Sequence, residues 1–249
     1  MSLLLGVNVD HVATLRQARY ALQPDSPNAE PSPLEASLAA QRGGADSITI
    51  HVRGDRRHMQ EADAFLIREK CPLPLNLEMG NTAEMRDLAL ALKPDFVCMV
   101  PETREEVTTE GGLDVAALFE ETRATVELLQ GKGIRVSLFI DPDLPQVEAA
   151  ARTGARMIEL HTGAFANEQG AARTGELARL TEAARAGVGM DLQVNAGHGL
   201  NYQNLASFLE VPHLSELNIG HSIVARALAV GFETAVREMK EAMAGYSLS

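Results

Sequence analysis

Eight short segments rich in Val, Ile, Leu and Phe recur along this 249-residue chain, and the longer stretches between them repeat their apolar residues at helical spacing. They read as strands at residues 3–10, 47–53, 73–79, 96–101, 135–141, 157–162, 192–197 and 216–220. Such alternation favours parallel strands joined by crossover helices. With no linker or composition shift between the halves, it predicts one (β/α)₈ TIM barrel over residues 1–249, with extra loop or helical insertions, rather than a doubly wound open sheet.

Glycines punctuate the helix ends at Gly43-Gly44, Gly131-Lys132-Gly133, Gly154-Ala155 and Gly187-Val188-Gly189, where a left-handed turn would stop each helix. Residues 20–33 hold four prolines and read as a surface excursion, so the first helix is expected from residue 34 through 40. Residues 102–114 are polar, follow the fourth strand and are a candidate lid.

Composition narrows the function. The 22 basic against 34 acidic residues give a formal charge of −12, which argues against a nucleic-acid partner. The apolar content of 45% suffices for a core, but no run approaches the roughly 18 residues a membrane span needs; residues 223–230 are broken by Arg226. The start of the chain has no basic leader or long apolar segment, which predicts a cytoplasmic protein. Cys71 and Cys98 show no CxxC spacing, and Cys98 reads as core.

Residues two apart on a strand share a face, and a packed barrel interior is apolar unless chemistry requires otherwise. Here Asn8 with Asp10, His51 with Arg53, Asn76 with Glu78, and Glu159 with His161 occupy late strand positions. The histidines at 11, 51, 58, 161, 198 and 221 lie at or just beyond strand ends, with His213 the exception. One such residue is ordinarily a satisfied structural group. Together they converge only in a closed barrel, at the end where barrel enzymes carry their sites.

Burial of Glu78 and Glu159 would raise their pKa values toward the range useful for proton transfer; a structural pairing with Arg explains Glu159 equally well. The turns at 195–200 and 218–222 offer backbone amides to an anion after strands seven and eight, and imply a phosphorylated ligand; ordinary glycine turns are the bland alternative. The negative net charge demands local cations, which Arg19, Arg53, Arg56, Arg57 and His58 could supply. Arg53 shares the inward face of His51, whereas Arg56 and Arg57 read more simply as solvated surface.

The segments GVNVDHVATLRQAR (6–19), GADSITIHVRGDRRH (44–58), NLEM (76–79), VPETREEVTTEGGLD (100–114), SLFID (137–141), IELHTG (158–163), VNAGHGL (194–200) and ELNIGH (216–221) resemble the pyridoxine 5′-phosphate synthase family essentially end to end. The resemblance implies condensation of 3-amino-2-oxopropyl phosphate with 1-deoxy-D-xylulose 5-phosphate to pyridoxine 5′-phosphate, phosphate and water, without metal or organic cofactor. It implies His51 and Glu78 as proton acceptors, His198 as proton donor and Glu159 as a stabiliser of charged intermediates. It sets Asn8, Arg19, Gly199, Gly220 and His221 near the aminoketone phosphate, and Asp10, His11, Arg53, His58 and Thr108 near the sugar phosphate. It further implies a homo-octamer built from dimers. Residues 20–33 look longer and richer in proline than the family pattern.

Two other readings compete. A metal-dependent barrel hydrolase could gather His11, His51, His161, His198 and His221 on a divalent ion, although the first strand carries no His-x-His pair. A non-catalytic sugar-phosphate-binding barrel would need the turn at Gly220 but not His51, Glu78 and His198.

Overall fold

The computed structural model describes residues 2–23, 26–102 and 111–246. Strands β1 (Leu4–Asn8), β2 (Ser47–His51), β3 (Leu75–Met79), β4 (Phe96–Met99), β5 (Arg135–Ile140), β6 (Met157–His161), β7 (Gln193–Gly197) and β8 (Leu214–Ile219) pair in parallel in chain order, and β8 closes on β1. The fold is the expected TIM barrel. Around it run α1 (Asp10–Tyr20), α2 (Pro33–Gly43), α3 (Glu61–Lys70), α4 (Ala83–Leu92), α5 (Phe119–Gln130), α6 (Leu144–Arg152), α7 (Gly163–Asn167), α8 (Gly170–Gly189), α9 (Leu205–Phe208), α10 (His221–Val230) and α11 (Phe232–Met243).

Two layers divide the side chains by the strand period of two. Ile48, Ile50, Leu75, Leu77, Val136, Leu138, Ile158 and Leu160 belong to a large apolar core that also includes Ala40, Ile67, Met85, Val126, Ala150 and Ala184 of the helices. The alternate positions are unusually polar for a barrel of this kind. Thr49 donates to Asn218 Oδ1 at 2.9 Å, Ser47 donates to Glu216, and Asn218 Nδ2 donates to Glu159 Oε2 at 2.7 Å. Buried polar groups stay stable here by bonding one another. Cys98, Val100 and Phe139 form a separate small apolar cluster.

The first helix departs from expectation. Asp10 is not a strand residue but opens α1, which precedes the expected helix; the latter runs from Pro33 to Gly43. The apolar period of α1 is masked because Arg16 occupies a core-facing position, buried in a bidentate pair with Asp63 of α3 at 2.6 and 2.7 Å. Strand β2 likewise stops at His51, so Arg53 is buried just beyond it. Strand β8 begins at Leu214, earlier than its apolar pattern suggested.

Left-handed Gly44, Gly133 and Gly154 follow α2, α5 and α6 as expected. At the end of α8 the reason for glycine is different. A Cβ on Gly187 would lie 2.9 Å from Val194 Cγ2, so this glycine lets the helix approach the barrel, and the left-handed residue is Asp191.

Candidate active site

Parallel closure gathers every strand's carboxyl end at one mouth. At the end of β1, Asn8 Nδ2 donates to Asp10 Oδ2 at 2.8 Å and to Glu78 Oε2 at 3.4 Å. Asp10 Oδ1 accepts the His51 amide at 2.8 Å, joining β1 to β2. Register then pairs His51 with Glu78, leaving His51 Nδ1 and Glu78 Oε2 3.9 Å apart. The other imidazole nitrogen, Nε2, lies 2.8 Å from Glu102 Oε1.

Across the barrel, β6 presents Glu159 and His161. Glu159 is 2% exposed and bonds Asn218 rather than an arginine, which removes the alternative Glu–Arg reading. His161 Nδ1 meets Asp141 Oδ1 at 3.0 Å, and its ring centroid lies 5.2 Å from that of His198. The Thr162 hydroxyl donates to the carbonyls of Gly197 and His198, holding the turn after β7, where His198 and Gly199 both have φ of 79°. Gly220 caps α10, and His221 in its first turn stacks edge-on with His11 at 4.9 Å. A cavity of about 540 Å³ is lined by His161, His198, Asp141 and Arg179.

Burial inverts the ordinary protonation pattern. Desolvation, reinforced by the charges of Glu159 and Asp10, pushes the Glu78 carboxyl well above its usual range. Desolvation likewise raises Glu159 to about 7, and raises Asp10 to about 6 despite the opposing pull of His51. Desolvation and the neighbouring histidines lower His198 to about 4 and His58 to about 3. The mouth therefore combines a Glu78 carboxyl whose proton is held well above the ordinary range, a Glu159 that titrates at about 7 and a His198 that is neutral there, groups suited to moving protons both ways.

Residues 5–245 match the family described as "Pyridoxal phosphate biosynthesis protein PdxJ". The chain belongs to the PdxJ family. A curated relative from Akkermansia muciniphila, named pyridoxine 5′-phosphate synthase, is 66% identical over 97% of this chain and 98% of its own length. One of the same name from Opitutus terrae is 54% identical over 97% and 99%. Among solved structures, N-(5′-phosphoribosyl)anthranilate isomerase from Pyrococcus furiosus has a TM-score of 0.63 at 13% identity, covering 97% of this chain and 98% of that one; this likeness concerns the fold alone.

In this PdxJ-family barrel, Asn8, Asp10, His51, Glu78 and Glu159 are linked at the strand ends by bonds, register or charge. His11, His58, His198 and His221 join through ring contacts and mutual electrostatic effects. Arg19 is not drawn in: it lies exposed on the last turn of α1, its guanidinium 5.7 Å over the Tyr20 ring. Arg56 bonds Glu61 and Glu84, and Arg57 bonds Asp55, as surface arginines do. Thr108 and most of the candidate lid lie outside the described residues; Glu102 and residues 111–114 lie within them.

The sequence reading missed Glu102 and Asp141 as site residues. Both fall in motifs it quoted, but Glu102 lies beyond β4, where period-two reasoning no longer applies, and Asp141, the last residue of the expected fifth strand, shares its face with Phe139 rather than with a polar residue. Among the described residues no three His, Cys, Asp or Glu side chains form a metal-binding group. None of the described helices is long and apolar enough to cross a membrane.

Proposed function

We propose that this chain joins 3-amino-2-oxopropyl phosphate to 1-deoxy-D-xylulose 5-phosphate, yielding pyridoxine 5′-phosphate, phosphate and water in vitamin B6 biosynthesis. The observation carrying this reading is the gathering of Asn8, His51 and Glu78 at one barrel mouth, His51 Nδ1 and Glu78 Oε2 3.9 Å apart, in a chain of the PdxJ family. Amine addition to a ketone, successive dehydrations, phosphate loss and ring closure each move a proton at a different substrate atom, which one acid–base group cannot serve.

In this reading His51 and Glu78 take protons from the condensing substrates. Before it can do so, Glu78 gives up its own proton, a change favoured when cationic nitrogen develops nearby. Glu159 stabilises that positive charge. His198 is the donor: neutral in the free protein, it gains proton affinity when a phosphate dianion settles beside it. The first turn of α10 after Gly220 directs unpaired amides toward such an anion, with Asn8, Gly199 and His221 alongside; Arg19, exposed on α1, would have to swing from Tyr20 to join them. Asp10, His11, Arg53, His58 and Thr108 receive the sugar phosphate.

The protein is further proposed to work in the cytoplasm as a homo-octamer built from dimers. Leu228 of α10, 78% exposed, is an apolar side chain that such an assembly would cover.

The test is incubation of the purified protein with both phosphorylated substrates, with product absorbance as the readout and omission of either substrate as control. Absence of product refutes the synthase. Stoichiometric zinc in the purified protein, or activity abolished by a chelator, would count against the cofactor-free synthase, and binding without turnover would favour the non-catalytic barrel.

A further inference from the structure

Glu102 stands just after β4, yet its carboxylate is bonded by groups from two other strand-end segments. Oε1 receives His51 Nε2 at 2.8 Å and the Gly80 amide at 3.0 Å, while Oε2 receives the Gly54 amide at 3.1 Å. The site is shaped for this carboxylate. A Cβ on Gly80 would fall 2.9 Å from Glu102 Cδ and 3.1 Å from Cγ, although the Gly80 backbone itself is not left-handed.

Burial pushes the Glu102 carboxyl up, but the hydrogen bonds from His51, Gly54 and Gly80 outweigh it and hold it below its ordinary value. Glu102 is thus ionised near neutrality and can only accept hydrogen bonds. The proton between Glu102 and His51 must therefore sit on Nε2. This leaves Nδ1 of a neutral His51 with its lone pair free on the side of Glu78.

We infer that Glu102 is a positioning residue: by bonding Nε2–H it fixes the tautomer of His51 and makes Nδ1 the atom that accepts the substrate proton. This rests on the proposed role of His51 in the condensation. Once Nδ1 is protonated, the imidazolium keeps Glu102 as a short-range counter-charge, the arrangement by which an orienting carboxylate assists an imidazole base. Among the described residues, the other charged or titratable groups around His51 include Glu78 on β3, Asp10 at the start of α1, and His58 beyond β2, with Arg53 also acting on His58.

The test is ¹⁵N NMR of the full chain with labelled histidine, with His51 assigned by loss of its signals in His51→Asn. The wild type is expected to show a protonated Nε2 and an unprotonated Nδ1. Glu102→Gln, which places an amide among the Gly54 and Gly80 donors, should shift His51 toward the Nδ1–H form. It should lower kcat by about tenfold or more with little change in KM.

Gly80→Ala displaces the same carboxylate without altering either partner and should reproduce both effects. Unchanged melting curves would show that the fold survives. A wild-type His51 carrying its proton on Nδ1, or a tautomer unaffected by both substitutions, would overturn the inference; a carboxylate that merely stapled loops together would leave the tautomer alone. If the wild type shows the Nε2–H form, Glu102→Gln abolishes it, and no product forms from the two substrates, the synthase reading fails while the tautomer assignment stands.

Discussion

His51 Nδ1 and Glu78 Oε2 lie 3.9 Å apart, too far to bond each other and close enough to act on one bound molecule. Neighbouring strands bring them opposite each other although 27 residues separate them in the chain.

Glu78→Gln is expected to fold and to lose about 10²- to 10⁴-fold in turnover. Its stability should depend on pH in a defined direction. Because the folded-state pKa of Glu78 is raised above 4.5, the unfolded chain releases this proton first, and stability falls as pH rises toward the folded value. Melting temperatures should favour the variant over wild type progressively from pH 5 to pH 8. Turnover equal to wild type would remove Glu78 from the acid–base set.

Glu159 and His198 should oppose each other in the pH dependence of stability. Glu159, raised to about 7, contributes stability that is complete below 4.5 and lost as pH rises through about 7. His198, lowered to about 4, contributes stability present above 6.5 and lost as pH falls through about 4. Melts of Glu159→Gln should therefore gain on wild type toward alkaline pH, and those of His198→Asn toward acid pH. Asn suits the left-handed backbone at position 198. Parallel curves for wild type and both variants would refute the assignment.

Arg53→Ala should weaken binding of the sugar phosphate more than that of the aminoketone phosphate. Losing one charge-assisted contact of about 1.5–3 kcal/mol corresponds to roughly 10- to 100-fold in affinity. Calorimetric titration with each ligand checks it, and equal affinities in wild type and variant would exclude Arg53 from the phosphate site.

For Gly220→Ala the added methyl would press on Asn8, whose Cβ, carbonyl and Oδ1 lie 3.0–3.1 Å from it. Asn8 in turn holds Asp10 and Glu78, so the predicted result is weaker aminoketone phosphate binding together with a lower kcat. Steady-state kinetics with that substrate varied reads both effects, and unchanged parameters would separate the Gly220 turn from the site.

The barrel was legible because its strands, buried on both faces, leave short apolar runs that helical spacing interrupts. The mouth was legible because polar residues at period-two positions violate what a packed interior prefers. Helix α1 was not legible: Arg16 faces inward, and its burial is made tolerable chiefly by the bidentate pair with Asp63, 47 residues away. Asp10 was assigned to the site for the wrong local reason, since it reaches His51 from the opening of a helix rather than from a strand face.

By itself the sequence determined the strand count, the parallel order, the end of the barrel at which ionisable groups collect and the family pattern they carry. These follow from local periodicity and residue type. The tertiary structure alone decided that His51 faces Glu78 on one side and Glu102 on the other, that Glu159 bonds Asn218, and that burial raises the Glu78 and Glu159 carboxyls while it lowers His198. Register, burial and the distance between charges are properties of the closed barrel, because each depends on which remote segments share its dry interior.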